Sequence, residues 1–365
     1  MKPKKNIYIS SIHQNAGKTT VALGLYKIFQ ERKLKTAFLK PVGQQTVSIN
    51  QHNIDKDSYL MGEVYRCRKW LQDMSPVTIG QGFTERYIFN PRPEALQQRI
   101  MDSYQKLIKR KDAIIIEGTG HSGVGSVIDL SNADVARMLG SKVIIISGGG
   151  IGRSIDEIML NKGLFDLNQV EVLGVIVNKV IPEKYDKITK VLTEGLRRKN
   201  LRLLGAIPLD PVLSAPTIEQ IMSRLNLELL CGKENVQRHV RDTIVAAMEP
   251  YNMVNYLSDG TLVLTSGDRV DNIMVAVSSH LVMKGNHSQV SGIILSGGLI
   301  PNRKIIDLLR RSKIPVLISK DDTYTVAAKI EHLICKIQKA DKDKIIEARQ
   351  LVKQYVNVDM ILENL

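Results

Sequence analysis

The apolar and polar positions of this chain repeat one unit. A short β-branched run comes first, then a turn of small or polar residues, then a stretch with apolar positions three and four apart. Residues 7–9 read as the first buried strand, and the helix after it starts near Val21, with Val21, Leu25 and Ile28 on one face. Residues 36–39 are a second strand, stopped by Pro41. Residues 93–111 form an amphipathic helix through Leu96, Ile100, Tyr104 and Leu107, leading into a buried strand at 113–116. Further strands are predicted at 142–147, 172–177 and 203–207, with a helix at 154–160 after the first of these. Strands alternating with helices, each loop at the same sheet edge, predict an α/β fold built on a doubly wound parallel sheet. Residues 44–53 read as a polar surface loop, and residues 70–93, rich in Gly and Pro, as an irregular flap.

The pattern changes at residues 213–217, where Ser-Ala-Pro reads as a hinge. The expected organisation is a first domain over 1–213, a smaller α/β domain over 214–340 and a terminal helix over 341–365. The second domain has strands at 261–264, 292–295 and 315–318, a helix at 272–278, and the turn Ser266-Gly-Asp-Arg269. The terminal helix carries Ile345, Ala348, Val352 and Tyr355 on one side, which suits packing or dimerisation.

Candidate chemistry concentrates at the strand ends of the first domain. The turn after the first strand is His13-Gln14-Asn15-Ala16-Gly17-Lys18-Thr19-Thr20. Strand, Gly-Lys-Thr and helix in that order are the parts of a phosphate-binding loop: backbone N–H groups and the helix dipole favour anions. In such a loop Lys18 reaches the β- and γ-phosphates of ATP and the Thr19 hydroxyl holds Mg²⁺. The usual leading glycine is missing, its position being Ile12 with Ser11 beside it. Lys40 ends the second strand and is placed to meet the same phosphates. Glu117 ends the 113–116 strand, followed by Gly118-Thr-Gly120, where an acid serves magnesium. Asp55 and Asp57 precede a helical stretch, and either capping or water-mediated Mg²⁺ binding explains them. The run Gly148-Gly-Gly-Ile-Gly152 fails the dinucleotide fingerprint because Arg153 stands where the last glycine belongs.

Bulk properties narrow the setting. The 365 residues are 43% hydrophobic and 24% charged, an ordinary globular composition, with no apolar run of membrane-span length. Cys67, Cys231 and Cys335 lie far apart, giving neither a disulfide framework nor a zinc site, and the N-terminus lacks a signal-peptide core. A cytoplasmic protein is expected. Net charge is +14, but the basic residues are spread out and aromatics are only 5%, so the charge reads as solvated faces and attraction for phosphate ligands rather than nucleic-acid binding.

Four pieces in order, the Gly17-Lys-Thr unit, Lys40-Pro41-Val42, Glu117-Gly-Thr-Gly120 and Asn178-Lys179, resemble dethiobiotin synthetase and its relatives. These include the N-terminal half of long phosphate acetyltransferases. The resemblance covers about the first 215 residues, with Ser11 and His121 standing where the family has glycines. From His239 onward, Ala246-Ala-Met-Glu-Pro250, Gly260 to Arg269 and Ser296-Gly-Gly298 look like a DRTGG domain, whose signature survives as Asp268-Arg269. The resemblance implies Lys18 and Lys40 on the γ-phosphate side, and Thr19, Glu117 and Asp57 (or Asp55) around Mg²⁺. It implies Asn178 on the adenine edge, helped by the 208–211 loop that begins at Pro208. It also implies a homodimer, and a small anionic substrate, a carboxylate or carbamate, activated by ATP. No diaminopelargonate-binding motif is present, no cysteine has a glutaminase setting, and a whole acetyltransferase domain is not expected. The competing expectation is an ATP sensor that signals through the DRTGG domain.

Overall fold

The computed structural model describes residues 5–282, 290–333 and 335–365, so the first four residues of the basic N-terminus lie outside the described residues. The chain divides into two compact units, Met1–Asp210 with Ile337–Leu365, and Pro211–Lys336.

The first unit is built on β1 (Lys5–Ser11), β2 (Thr36–Leu39), β3 (Ala113–Glu117), β4 (Lys142–Gly148), β5 (Val172–Val180) and β6 (Leu203–Pro208). The order is β6-β5-β4-β1-β3-β2, and every pairing is parallel. Helices α1 (Lys18–Glu31), α2 (Lys56–Val64), α3 (Pro93–Ile108), α4 (Asn132–Met138), α5 (Gly152–Leu167) and α6 (Tyr185–Arg197) alternate with them. A central parallel strand is covered on both faces, so its sequence is apolar throughout rather than alternating. Ile7, Ile9, Ile114 to Ile116 and Val143 to Ile146 are accordingly all fully buried. Ile9 stands opposite Glu117 on one side and Ile144 on the other, so the first turn leaves the sheet between β3 and β4. This is where the direction of winding reverses, the position at which open α/β sheets take ligands.

Three local expectations need correction. Residues 44–53 hold a β-hairpin, Thr46–Ile49 paired with His52–Asp55, rather than a loop. Its turn residues Asn50 and Gln51 have φ of 48° and 67°, the left-handed pair that matches strand twist, and the polar composition hid this. Residues 70–93 are not irregular: they contain helices Leu71–Met74 and Phe83–Phe89, and a strand Val77–Thr78 paired with Val42–Gly43. The terminal segment is two helices rather than one.

The second unit holds β7 (Glu228–Cys231), β8 (Asp242–Val245), β9 (Thr261–Ser266), β10 (Gly292–Ser296) and β11 (Val316–Ile318), in the order β7-β11-β10-β9-β8 with only β7 antiparallel. Its helices are α7 (Ile218–Leu225), α8 (Val270–Val282), α9 (Arg303–Ser312) and α10 (Thr323–Glu331). Successive strand residues point to opposite faces. Leu262, Leu264, Ile294 and Leu317 therefore share a core with Ile218 of α7 and Val326 of α10. Val263, Ile293, Leu295 and Val316 pack instead with Ile273 of α8 and Leu309 of α9. Arg269 is tied down, its Nη2 lying 2.9 Å from Asp271 and 3.2 Å from the Met248 carbonyl.

The terminal helices α11 (Lys342–Tyr355) and α12 (Val358–Glu363) return to the first unit. Between them the chain is extended: Val356 bridges to Gly205, and the Asn357 N–H donates to the Leu204 carbonyl at 2.8 Å. Helix α11 meets α1 where Gly24 faces Val352, so closely that a Cβ on Gly24 would stand 2.3 Å from the Val352 Cβ. Gly24→Ala should therefore lower stability by about 1–3 kcal/mol in urea unfolding, although alanine is the better helix former by about 1 kcal/mol. Unchanged or increased stability would contradict this seating of α11.

Candidate functional site

Ser11 ends β1, and the chain turns through residues 12–17 into α1. Gly17 has φ 107°, and a Cβ there would lie 2.0 Å from Asn178 Nδ2, so both conformation and space demand glycine. Asn178 Nδ2 donates to the Ala16 carbonyl at 2.9 Å, and Lys179 Nζ donates to the Asn15 carbonyl at 3.1 Å. The end of β5 thus clamps the turn from one side. Helix α1 has no capping side chain and no acid in its first turn. Its leading N–H groups and the positive end of its dipole are left for an anion. Helix α2 differs, because Asp55 caps it by accepting from the Asp57 N–H at 2.8 Å.

Ser11, where the leading glycine is missing, has a definite task. Its hydroxyl accepts from Lys18 Nζ at 2.8 Å and lies 2.6 Å from the His13 carbonyl and 2.9 Å from that of Gly120. The loop lysine is thereby folded back onto its own turn. His13 and Gln14 are exposed, Asn15 is half-buried with φ 63°, and Ala16 is buried.

A second cation lies beside the first. Lys40 Nζ sits 3.0 Å from Asp57 Oδ2 and 3.0 Å from Glu117 Oε1, all three side chains being nearly inaccessible, and it also donates to the Gly118 carbonyl at 3.0 Å. The Thr19 hydroxyl donates to the same Glu117 oxygen at 3.0 Å. Burial alone would lower the Lys40 pKa, but Glu117, Asp57 and Asp55 outweigh it and raise the pKa above the ordinary 10.5. Its stabilising contribution is fully present below pH 10.5 and is lost only as pH climbs through the raised value. Of the two aspartates, Asp55 caps α2 and Asp57 faces Lys40. Pro208 stands beside Val180 in the sheet, two residues beyond Asn178, at the same edge. What the structure gives Asn178 is the clamping bond to the Ala16 carbonyl.

Sequence reading missed Asn132. Its Oδ1 accepts from the Tyr8 hydroxyl at 2.7 Å and from the Thr119 N–H at 3.1 Å. Its Nδ2 donates to the carbonyls of Thr119 at 2.8 Å and His121 at 2.6 Å. One buried amide holds the whole 118–121 turn against β1. The only available signal was the Ser131 and Asp134 capping box, which fixes Asn132 at the first helical position.

With this geometry in place, the comparisons with known proteins are specific. A family model described as an AAA domain (AAA_26) matches residues 5–217, and one described as the DRTGG domain matches residues 220–333. The chain belongs to the AAA_26 family. It carries that family's P-loop ATP-binding domain ahead of a DRTGG domain. A phosphate acetyltransferase of Nitratidesulfovibrio vulgaris is 27% identical over 96% of this chain and 50% of its own length. One from a Synechocystis strain is 26% identical over 99% of this chain and 52% of its own length. The chain spans about half the length of these curated relatives. A plasmid partition protein of Borrelia burgdorferi, solved bound to AMPPNP, superposes with a TM-score of 0.38 at 17% identity over 57% of this chain and 87% of its own. Among the described residues no helix is long and apolar enough to cross a membrane, and no group of three or more His, Cys, Asp or Glu could hold a metal.

Asn132→Ala strips partners from several buried groups at once. It should lower stability by about 2–4 kcal/mol in chemical unfolding. A loss under about 0.5 kcal/mol, the range of ordinary surface changes, would contradict the bracing role.

Proposed function

We propose that the first unit binds Mg-ATP in the turn before α1 and transfers the γ-phosphoryl group to a small carboxylate or carbamate held beyond Lys40. One observation carries the reading: Lys40 stands 3.0 Å from both Asp57 and Glu117, with the Thr19 hydroxyl on the same Glu117 oxygen. The N–H groups opening α1 take phosphate oxygens, while Lys18 leaves Ser11 for the β- and γ-phosphates. Lys40 meets the γ-phosphate and the incoming carboxylate. Phosphoryl transfer asks mainly for positioning and charge neutralisation, and two lysines beside a helix N-terminus supply both. The acceptor oxygen forms a bond to the γ-phosphorus, the bond to the β–γ bridging oxygen breaks, and ADP leaves. Beyond donating to the Ala16 carbonyl and accepting from the Lys179 N–H at 2.9 Å, Asn178 keeps one N–H and one lone pair, and these read the base edge with Pro208.

The donor set fits magnesium. Thr19, Asp57 and Glu117 offer hard oxygens only, and two carboxylates sharing one ammonium leave a negative charge for a further cation. A bound magnesium ion supplies charge neutralisation on the phosphates, and one or two carboxylates are what it takes from a protein beside a nucleotide. The name of the curated relatives, phosphate acetyltransferase, supports an enzyme over a silent sensor. A phosphorylated carboxylate is the same class of mixed anhydride that acetyl transfer to phosphate yields.

Thermal melting with Mg-ATP, compared with ATP in EDTA, tests the site. At a hundredfold excess over Kd the magnesium-dependent protection should reach about 2.7 kcal/mol. It should vanish in both Lys18→Ala and Glu117→Gln. Protection that survives Lys18→Ala unchanged contradicts the site. ADP release that no small carboxylate or amine accelerates contradicts the transfer step.

A further inference from the structure

At the far end of β2 from Lys40 lies an open cleft of about 610 Å³ whose twelve lining residues include Thr36, Lys33, Lys35, Arg66, Lys69, Lys111 and Trp70. That is five cations and no carboxylate. Lys40 lies four residues beyond Thr36, about 13 Å at strand rise, so the cleft and the phosphate loop sit at opposite ends of the strand. We propose that this cleft is a second ligand site, for a nucleoside phosphate: a small polyanion with a flat ring.

Three observations lead there. The volume falls within the range of about 300–1,000 Å³ typical of small-molecule sites. The acids nearby do not line the cleft, and each has a partner. Glu31 faces Lys27 at 3.6 Å and Lys353 at 3.3 Å, Glu63 pairs with Arg68, Asp73 with Lys106 at 3.3 Å, and Asp112 accepts from the Lys35 backbone N–H at 2.8 Å. Among the described residues Lys33, Lys35, Arg66 and Lys69 make no ion pair. Five like charges around one concavity repel one another unless an anion joins them. Helices α1, α2 and α3 all end on this side, and their dipoles favour cations nearby. That accounts for basic residues at each helix end but not for their gathering around one cavity with no acid among its lining residues. Finally, Trp70 offers a ring, and Lys69 Nζ lies 5.4 Å from its centroid. Aromatic stacking beside cations is the recognition a nucleoside phosphate asks for.

The chain's single tryptophan is therefore in the cleft and reports on it. The full chain carrying Lys18→Ala, with its phosphate loop disabled, is titrated with ATP in EDTA while Trp70 emission is followed. The comparison variant adds Lys33→Asn and Arg66→Asn. Both positions have positive φ, 61° and 55°, which asparagine tolerates, so charge is removed without new backbone strain. A saturable change in emission is expected, at least tenfold weaker in the comparison variant, with inorganic tripolyphosphate displacing ATP. An unsaturable response, a response unmoved by the two asparagines, or a failure of tripolyphosphate to compete would each overturn the proposal. None of these outcomes bears on the phosphate loop, because Lys18 is replaced throughout.

Discussion

The buried ammonium of Lys40, held between Asp57 and Glu117, is the interaction on which the rest of the first unit depends. Taking three charges out of water is expensive, and the arrangement survives only because the partners are close and further bonded, Lys40 to the Gly118 carbonyl and Glu117 to the Thr19 hydroxyl. Those partners come from four separate places: the end of β2, the start of α2, the end of β3 and the start of α1. A network of that kind fixes how these elements dock. Losing Lys40 would leave two buried carboxylates without their cation, and breaking a buried ion pair typically costs about 3–5 kcal/mol. A hydrophobic core of the same volume would cost less to build but could not meet a phosphate.

Around this cluster the turn before α1 is prepared rather than open. Asn178 and Lys179 hold it from β5, Ser11 holds its lysine, and Asn132 holds the neighbouring 118–121 turn. A loop with its N–H groups already oriented needs little reorganisation when an anion arrives. The departure of Ser11 from the glycine pattern therefore has a local reason. Its hydroxyl gives the ammonium of Lys18 a partner inside the turn, at the price of a bond to be exchanged for a phosphate oxygen.

Much of this was legible in the sequence, because parallel strands buried on both faces must be continuously apolar. Residues 7–9, 113–116 and 142–147 announced the sheet, and Gly17-Lys-Thr, Lys40 and Glu117 fall where strand ends put them. Legibility failed where polar side chains serve backbone rather than ligand. Asn132 looks like any helix-start asparagine, and the 46–55 hairpin looks like a loop because its strands are largely polar. The role of Asp55 was undecidable in sequence, since capping and metal binding ask for the same residue type at the same position. The return of α11 to α1 depends on Gly24, whose lack of a side chain carries no periodic signal.

The central claim is that this turn wraps a triphosphate and that Lys18 changes partner when it does. A crystal structure of the chain with millimolar Mg-AMPPNP addresses it most directly. The account predicts phosphate density along the N–H groups of Lys18 to Thr20, with Lys18 Nζ moved from Ser11 to the terminal phosphates and Lys40 facing the γ position. A turn free of nucleotide at saturating concentration, with Lys18 still on Ser11, would contradict it.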